Sequence, residues 1–93
     1  MATEKRLYSD LAVPPGEYLK EVLEELGLTQ AALARRIGRS EQAISELVHG
    51  KRAITAEIAL SLEEVTAVGA HVWMNLESGY RLTLARAHRR KAS

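Results

Sequence analysis

The chain predicts an all-α fold of five short helices. Three observations carry that prediction. Apolar residues recur at helical spacing in five separate stretches, Ser or Thr stands at the N-cap position of three of them, and no strand-type alternation runs longer than chance. Ninety-three residues suit one domain with a modest core, which leaves little room for a deep enzymatic cleft and favours a binding module, often a dimer.

The first 13 residues show no sustained period and are read as an N-terminal extension, which Pro14-Pro15-Gly16 ends. Proline fits a first helical turn because its missing N–H has no intrahelical partner there. From Glu17 the residues Leu19, Val22, Leu23 and Leu26 fall at i, i+3, i+4 and i+7, and Gly27 closes the helix. Glu17 and Glu21 sit near its positive end, where the macrodipole favours them.

Thr29 is placed to cap a second helix, with Leu33, Ala34 and Ile37 as its inward stripe and Gly38 supplying a positive φ for a sharp exit. Ser40 caps a third. At 100° per residue the segment 41–49 splits cleanly, with Ala43, Ile44, Leu47 and Val48 on one side and Glu41, Gln42, Ser45, Glu46 and His49 on the other. Gly50 stops it, and His49 at its end suits the dipole. A fourth helix runs from the Thr55 cap to about Thr66, with Ile58, Ala59, Leu62 and Val65 inward. After Gly69 a fifth begins near Ala70–His71 and carries Trp73, Leu76, Tyr80 and Leu84 at helical spacing; it is expected to fray in the basic tail AHRRKAS.

Composition excludes several classes. Without cysteine there are no disulfides, thiolate metal sites or thiol nucleophiles. No apolar run reaches the roughly 18–20 residues of a membrane span, and no apolar h-region follows MATEKR, so a soluble cytoplasmic protein is expected. HExxH, GxSxG and P-loop patterns are missing, Glu63 and Glu64 diverge by about 100° on a helix, and His71 and His88 have no second ligand at metal spacing. No catalytic residue, metal or cofactor is nominated. The net charge of +1 conceals alternating blocks. Residues 1–28 and 53–80 are acidic. Residues 29–52 (Arg35, Arg36, Arg39, Lys51 and Arg52 against Glu41 and Glu46) and 81–93 (Arg81, Arg86, Arg89, Arg90 and Lys91, with no acid) are basic. Such a chain can present a basic face.

The decisive segment is Thr29–Arg52, TQAALARRIGRSEQAISELVHGKR. Two helices joined by a short turn containing Gly, with small Ala34 where they cross, describe a helix-turn-helix. Ile44 and Leu47 would lock the second helix onto the first. A major groove about 12 Å wide admits one protruding helix held rigidly by another that crosses the backbone.

In T-Q-x-x-L-A-x-x-I-G-x-S-x-x-x-I-S-x-L-x-x-G-K-R the chain resembles the Cro/CI-type (XRE) helix-turn-helix family. More narrowly it is similar to the HigA-type antitoxins, through Pro-Pro-Gly-Glu at 14–17, Gly-Lys-Arg-x-Ile-Thr-x-x-x-Ala-Leu at 50–60, and Trp73-Met74-Asn75-Leu76 with Tyr80 and Leu84. The resemblance covers about residues 14–86. It implies a lambda-repressor-like domain over 14–68, followed by a C-terminal helix and basic tail over 69–93.

The resemblance also implies roles. Gln30, Arg39, Lys51 and Arg52 correspond to phosphate-holding positions, and Ser40, Glu41, Gln42, Ser45 and Glu46 to base-reading ones. Chemistry agrees in part, since Gln42 can bond bidentately to adenine and a glutamate can accept from cytosine N4. The two acids depart from what a polyanion favours. Each must meet a cytosine donor or pair with Arg39 or Arg52.

Trp73, Leu76, Tyr80 and Leu84 are most simply core residues, yet they also mark the fifth helix as the natural dimer element, because helices one to four are expected to enclose their own core. The function implied is a homodimeric repressor of its own operon, bound to a palindromic duplex operator and acting as antitoxin to a small basic HigB-type ribonuclease. A second reading stays open, in which the chain is a protein-interaction or N-terminal regulatory domain of a larger XRE-type regulator.

Overall fold

The computed structural model describes residues 14–92, so the expected extension over 1–13 lies outside the described residues. Helix α1 spans Pro15–Leu26, α2 Gln30–Ile37, α3 Glu41–Val48, α4 Ala56–Thr66 and α5 Ala70–Ala92. No strand occurs among the described residues.

The punctuation follows local chemistry. Thr29 Oγ1 accepts the Ala32 amide at 3.0 Å, Ser40 Oγ the Ala43 amide at 3.1 Å, and Thr55 Oγ1 the Ile58 amide at 3.3 Å. Each satisfies a donor that the first turn of its helix leaves without an intrahelical partner. Gly27 enters the left-handed region at φ 69°, and the Leu28 and Gly27 amides donate back to Leu23 and Glu24 in a Schellman ending. Gly38, also at φ 69°, turns the chain between α2 and α3. Helix α4 ends at Thr66, as the sequence leads one to expect. Ala67, not a glycine, holds the left-handed position at φ 64°. Thr66 fixes that corner, its buried hydroxyl donating to Leu62 O and accepting from the Val68 amide.

The core gathers Leu19, Val22 and Leu23 of α1, Leu33 and Ala34 of α2, Ile44, Leu47 and Val48 of α3, Ile58, Ala59 and Leu62 of α4, and Ile54 of the α3–α4 loop. Trp73 of α5 joins them, fully buried, with its indole Nε1 donating to Val68 O at 3.2 Å and Tyr18 tilted against it at 5.4 Å between ring centroids. Three expectations are corrected by this arrangement. Four helices do not enclose the core by themselves, because the first turns of α5 supply its largest side chain. Trp73 therefore has no surface left to offer a second protomer. Leu26, expected inward, is half exposed at the end of α1, while Leu28 beyond the turn packs on the core instead.

Helix α5 also outlasts its expected end. The tail does not fray after residue 86 but stays helical to Ala92, with Arg89, Arg90 and Lys91 in the last turn. Cations at a helix C-terminus oppose the negative end of the dipole, which favours this continuation. At about 1.5 Å per residue the 23 residues reach some 35 Å. No helix among the described residues is long and apolar enough to cross a membrane.

One backbone approach constrains the whole arrangement. Gly16, in the first turn of α1, lies so close to the end of α3 that a Cβ there would stand 2.1 Å from Leu47 O and 2.4 Å from Val48 O. Gly16→Ala is expected to cost at least about 2 kcal/mol in chemical denaturation, since backbone cannot retreat as a flexible side chain can. Ala67→Gly should stabilise by about 0.5–1 kcal/mol. Left-handed strain of about 1–2 kcal/mol is relieved, partly offset by the extra freedom of glycine in the unfolded chain. A midpoint unchanged in either variant would contradict these contacts.

Candidate nucleic-acid interface

Helix α3 is gripped along one side and bare along the other. Ala43, Ile44, Leu47 and Val48 are all under a tenth exposed. Glu41, Gln42 and His49 are exposed, and Ser45 and Glu46 half-buried, on the opposite side. The division expected from periodicity over 41–49 is the one observed. Ser40 is exposed too, although its hydroxyl is engaged as the α3 cap. Gln42 makes no side-chain hydrogen bond among the described residues, leaving its amide oxygen and nitrogen to an outside partner.

The four basic or polar positions flanking α3 meet different circumstances. Lys51 is exposed and makes no ion pair among the described residues, while its backbone amide is fixed by Glu46 O at 2.8 Å. Gln30, half-buried, opens α2. Arg39 turns toward α4, where its Nη2 lies 3.2 Å from Glu57 Oε1. Arg52 reaches back over α3, donating from Nε at 3.0 Å and Nη2 at 2.7 Å to one oxygen, Oε1 of Glu46. Both Arg39 and Arg52 are thus partly neutralised.

The fate of the two acids follows. Glu46 is paired with Arg52, one of the two resolutions the sequence left open. Glu41 has no basic partner among the described residues and sits in the first turn of α3, where the helix dipole favours it. At the far end His49 Nδ1 lies 2.8 Å from Ser45 O, so the ring is turned back onto its own helix terminus. No group of three or more potential metal-ligating His, Asp or Glu side chains occurs among the described residues.

The candidates on α5 divide. Trp73 is core. Leu76 and Leu84 are exposed, at 37% and 36%, and Tyr80 is half-buried against the end of α3. A Cβ on Gly50, which has φ 74°, would stand 3.4 Å from Tyr80 Oη.

Glu77 escaped the sequence reading. It is 7% exposed and accepts the Ile54 amide at 2.9 Å through Oε1, while Oε2 takes the Nε of Arg81. The signal was present: Glu77 lies four residues after Trp73 on the inward stripe and four before Arg81, so a carboxylate occupies a core register with a cation one turn on.

The Glu46–Arg52 pair is partly solvated on both sides, with 32% and 44% of the side chains exposed. A double-mutant cycle over Glu46→Ala and Arg52→Ala should give a coupling of less than about 1 kcal/mol in folding stability. A larger value would mark the pair as a stabilising element of the fold rather than a feature of its outer face.

Comparison with known proteins places this geometry. A helix-turn-helix family model matches residues 19–73. Virulence-associated protein I of Dichelobacter nodosus is 39% identical over 75 residues, which cover 80% of this chain and 69% of that protein. The solved structure of Pseudomonas aeruginosa antitoxin HigA with the higBA promoter superposes with a TM-score of 0.81 at 36% identity, over 88% of this chain and 90% of that one. PA4674 of Pseudomonas aeruginosa in complex with a 28-bp operator DNA gives a TM-score of 0.81 at 35% identity, over 88% and 91%.

Proposed function

This chain belongs to the helix-turn-helix family, and from that premise we propose that it is a sequence-specific, operator-binding repressor of the HigA antitoxin type. The observation that carries the proposal is α3 itself. Its apolar side is buried, while on its polar side Glu41, Gln42 and His49 are exposed and Ser45 and Glu46 half-buried, with exposed Lys51 immediately beyond. A helix held in this way can enter a major groove without rearrangement. Similarity to a HigA described with the higBA promoter, and to PA4674 in complex with operator DNA, supports the same reading.

In this proposal Gln42 is the leading base reader, because its amide is free to bond adenine N6 and N7. Ser45 and Glu41 lie on the same side. Ser40 adds a backbone-proximal contact, and Glu46 acts through Arg52 by orienting its guanidinium beside the groove rather than by reading cytosine itself. Lys51 and Gln30 hold phosphates, with Arg39 and Arg52 contributing the donors that their glutamates leave over.

Two protomers place their α3 helices in successive major grooves about 34 Å apart on a two-fold operator. Exposed Leu76 and Leu84, with the outer edge of Tyr80, are the pairing residues of α5 in that dimer. The operator is that of the chain's own operon. The protein partner is a small basic HigB-type ribonuclease, attracted by the exposed acids Glu17, Glu21, Glu24 and Glu25 of α1, where opposite charge speeds encounter.

Titration of a duplex from upstream of the coding sequence tests the DNA reading. Log K should fall linearly with log salt at about 0.9 per phosphate held. Gln42→Ala should lose about 1–3 kcal/mol of discrimination between operator and scrambled duplex, and Lys51→Ala should weaken both alike. Folding should stay intact in both variants. A flat salt response, or equal affinity for scrambled DNA, would remove the repressor proposal. The antitoxin part is tested separately, by co-expression with any short basic protein encoded next to this chain and measurement of growth rescue.

A further inference from the structure

The loop between α3 and α4 carries Lys51 and Arg52, and helix α5 holds it near both ends. At one end Tyr80 and Pro14 close in on the left-handed turn at Gly50, where an added Cβ would stand 3.4 Å from Tyr80 Oη and 2.9 Å from Pro14 Cβ. At the other, Ile54 is 2% exposed, with its amide donating to Glu77 Oε1 at 2.9 Å. The two residues of α5 are themselves joined. Arg81 Nε donates to Glu77 Oε2, and the Arg81 guanidinium carbon lies 5.0 Å from the Tyr80 ring centroid. Between the two anchors the side chains of Lys51 and Arg52 face solvent.

A carboxylate is a costly way to fill a core position that an apolar residue would fill more cheaply. What Glu77 supplies is an acceptor for one loop amide that no helix or strand bond serves, made stronger by its charge. A loop ordered in advance loses less freedom when its cations meet a phosphate.

We propose that Glu77, with Tyr80 and Arg81, is a positioning residue for nucleic-acid binding: it clamps the 50–54 loop so that Lys51 and Arg52 stand preset beside α3. The proposal rests on the reading of Lys51 and Arg52 as phosphate contacts.

The test compares the full chain with Lys51→Ala, Glu77→Met, Glu77→Gln and the double variant Lys51→Ala/Glu77→Met. Each is titrated with the upstream duplex across a salt series and checked for oligomeric state by sedimentation. Methionine fills the space without an acceptor, whereas glutamine keeps an amide oxygen for Ile54. Lys51→Ala should reduce the salt slope by about 1. Glu77→Met should reduce it by at least as much, Glu77→Gln should restore most of it, and the double variant should fall no further than Glu77→Met alone. Amide hydrogen exchange gives a readout that needs no variant to fold. In the unaltered protein Ile54 should exchange at the rate of core amides rather than of exposed loop amides.

A wild-type slope in Glu77→Met, additive losses in the double variant, or loop-rate exchange at Ile54 would each overturn the clamp. A slope lost together with the wild-type sedimentation behaviour would assign Glu77 to assembly and overturn it as well. An unchanged slope in Lys51→Ala would instead remove the phosphate reading on which the clamp rests.

Discussion

A helix of eight residues is too short to hold itself together in water, where isolated helices below about 12–15 residues are marginal even in favourable sequences. Helix α3 has that length, and everything about the candidate interface depends on its standing firm while one side stays unpacked. The firmness comes entirely from the other side. Full burial of Ile44, Leu47 and Val48 contributes about 1.5–3 kcal/mol each as an upper estimate. The bare backbone of Gly16 lets α1 close directly onto the carbonyls at the α3 terminus. Ser40 fixes one end of α3, and the left-handed Gly50 turn, where the Gly50 and Lys51 amides donate to Leu47 O and Glu46 O, fixes the other. Three other helices and a loop thus serve to present one unfilled stripe.

Much of this was legible from residue order because the determinants are local. Thr29, Ser40 and Thr55 cap the helices they precede, and a hydroxyl three residues ahead of its amide needs no knowledge of the rest of the chain. The inward and outward sides of 41–49 follow from a period alone. Ala67 was not legible: nothing in its neighbourhood marks a left-handed alanine. The conformation is imposed from outside, by the need to return the chain so that Trp73 can enter the core. Trp73 itself shows the same limit. Helical spacing established that it shares a side with Leu76, Tyr80 and Leu84, but not which neighbour that side meets at each turn. One helix here passes from core to surface within four turns.

The side-chain pairings were the least legible part, because they join residues far apart in sequence. Arg39 and Glu57 are separated by 18 positions, and Ile54 and Glu77 by 23. A charge map by blocks showed basic 29–52 between acidic neighbours but could not show that Glu57 would draw Arg39 aside, or that Arg52 would fold back onto Glu46. These contacts alter the electrostatic picture. Of the four basic or polar positions first set against phosphates, Lys51 alone combines full charge with an exposed, unpaired ammonium among the described residues. The Glu46–Arg52 pair neutralises this acid in place. What remains of Arg52 is a set of N–H donors whose direction is fixed by the carboxylate beneath.

Helix α5 shows how a small domain can make one element serve two ends. Its first turns complete the core through Trp73, its middle turn grips the 50–54 loop through Glu77 and Tyr80, and its last turns carry exposed Leu84 and a run of cations. Because these segments form one continuous helix, they cannot move independently without breaking backbone hydrogen bonds. Leu76 and Leu84 therefore lie on the same rigid element as Glu77, whose carboxylate accepts the Ile54 amide. The join between helix and loop is thus a single buried carboxylate, and its strength is limited by how tightly that carboxylate holds one loop amide.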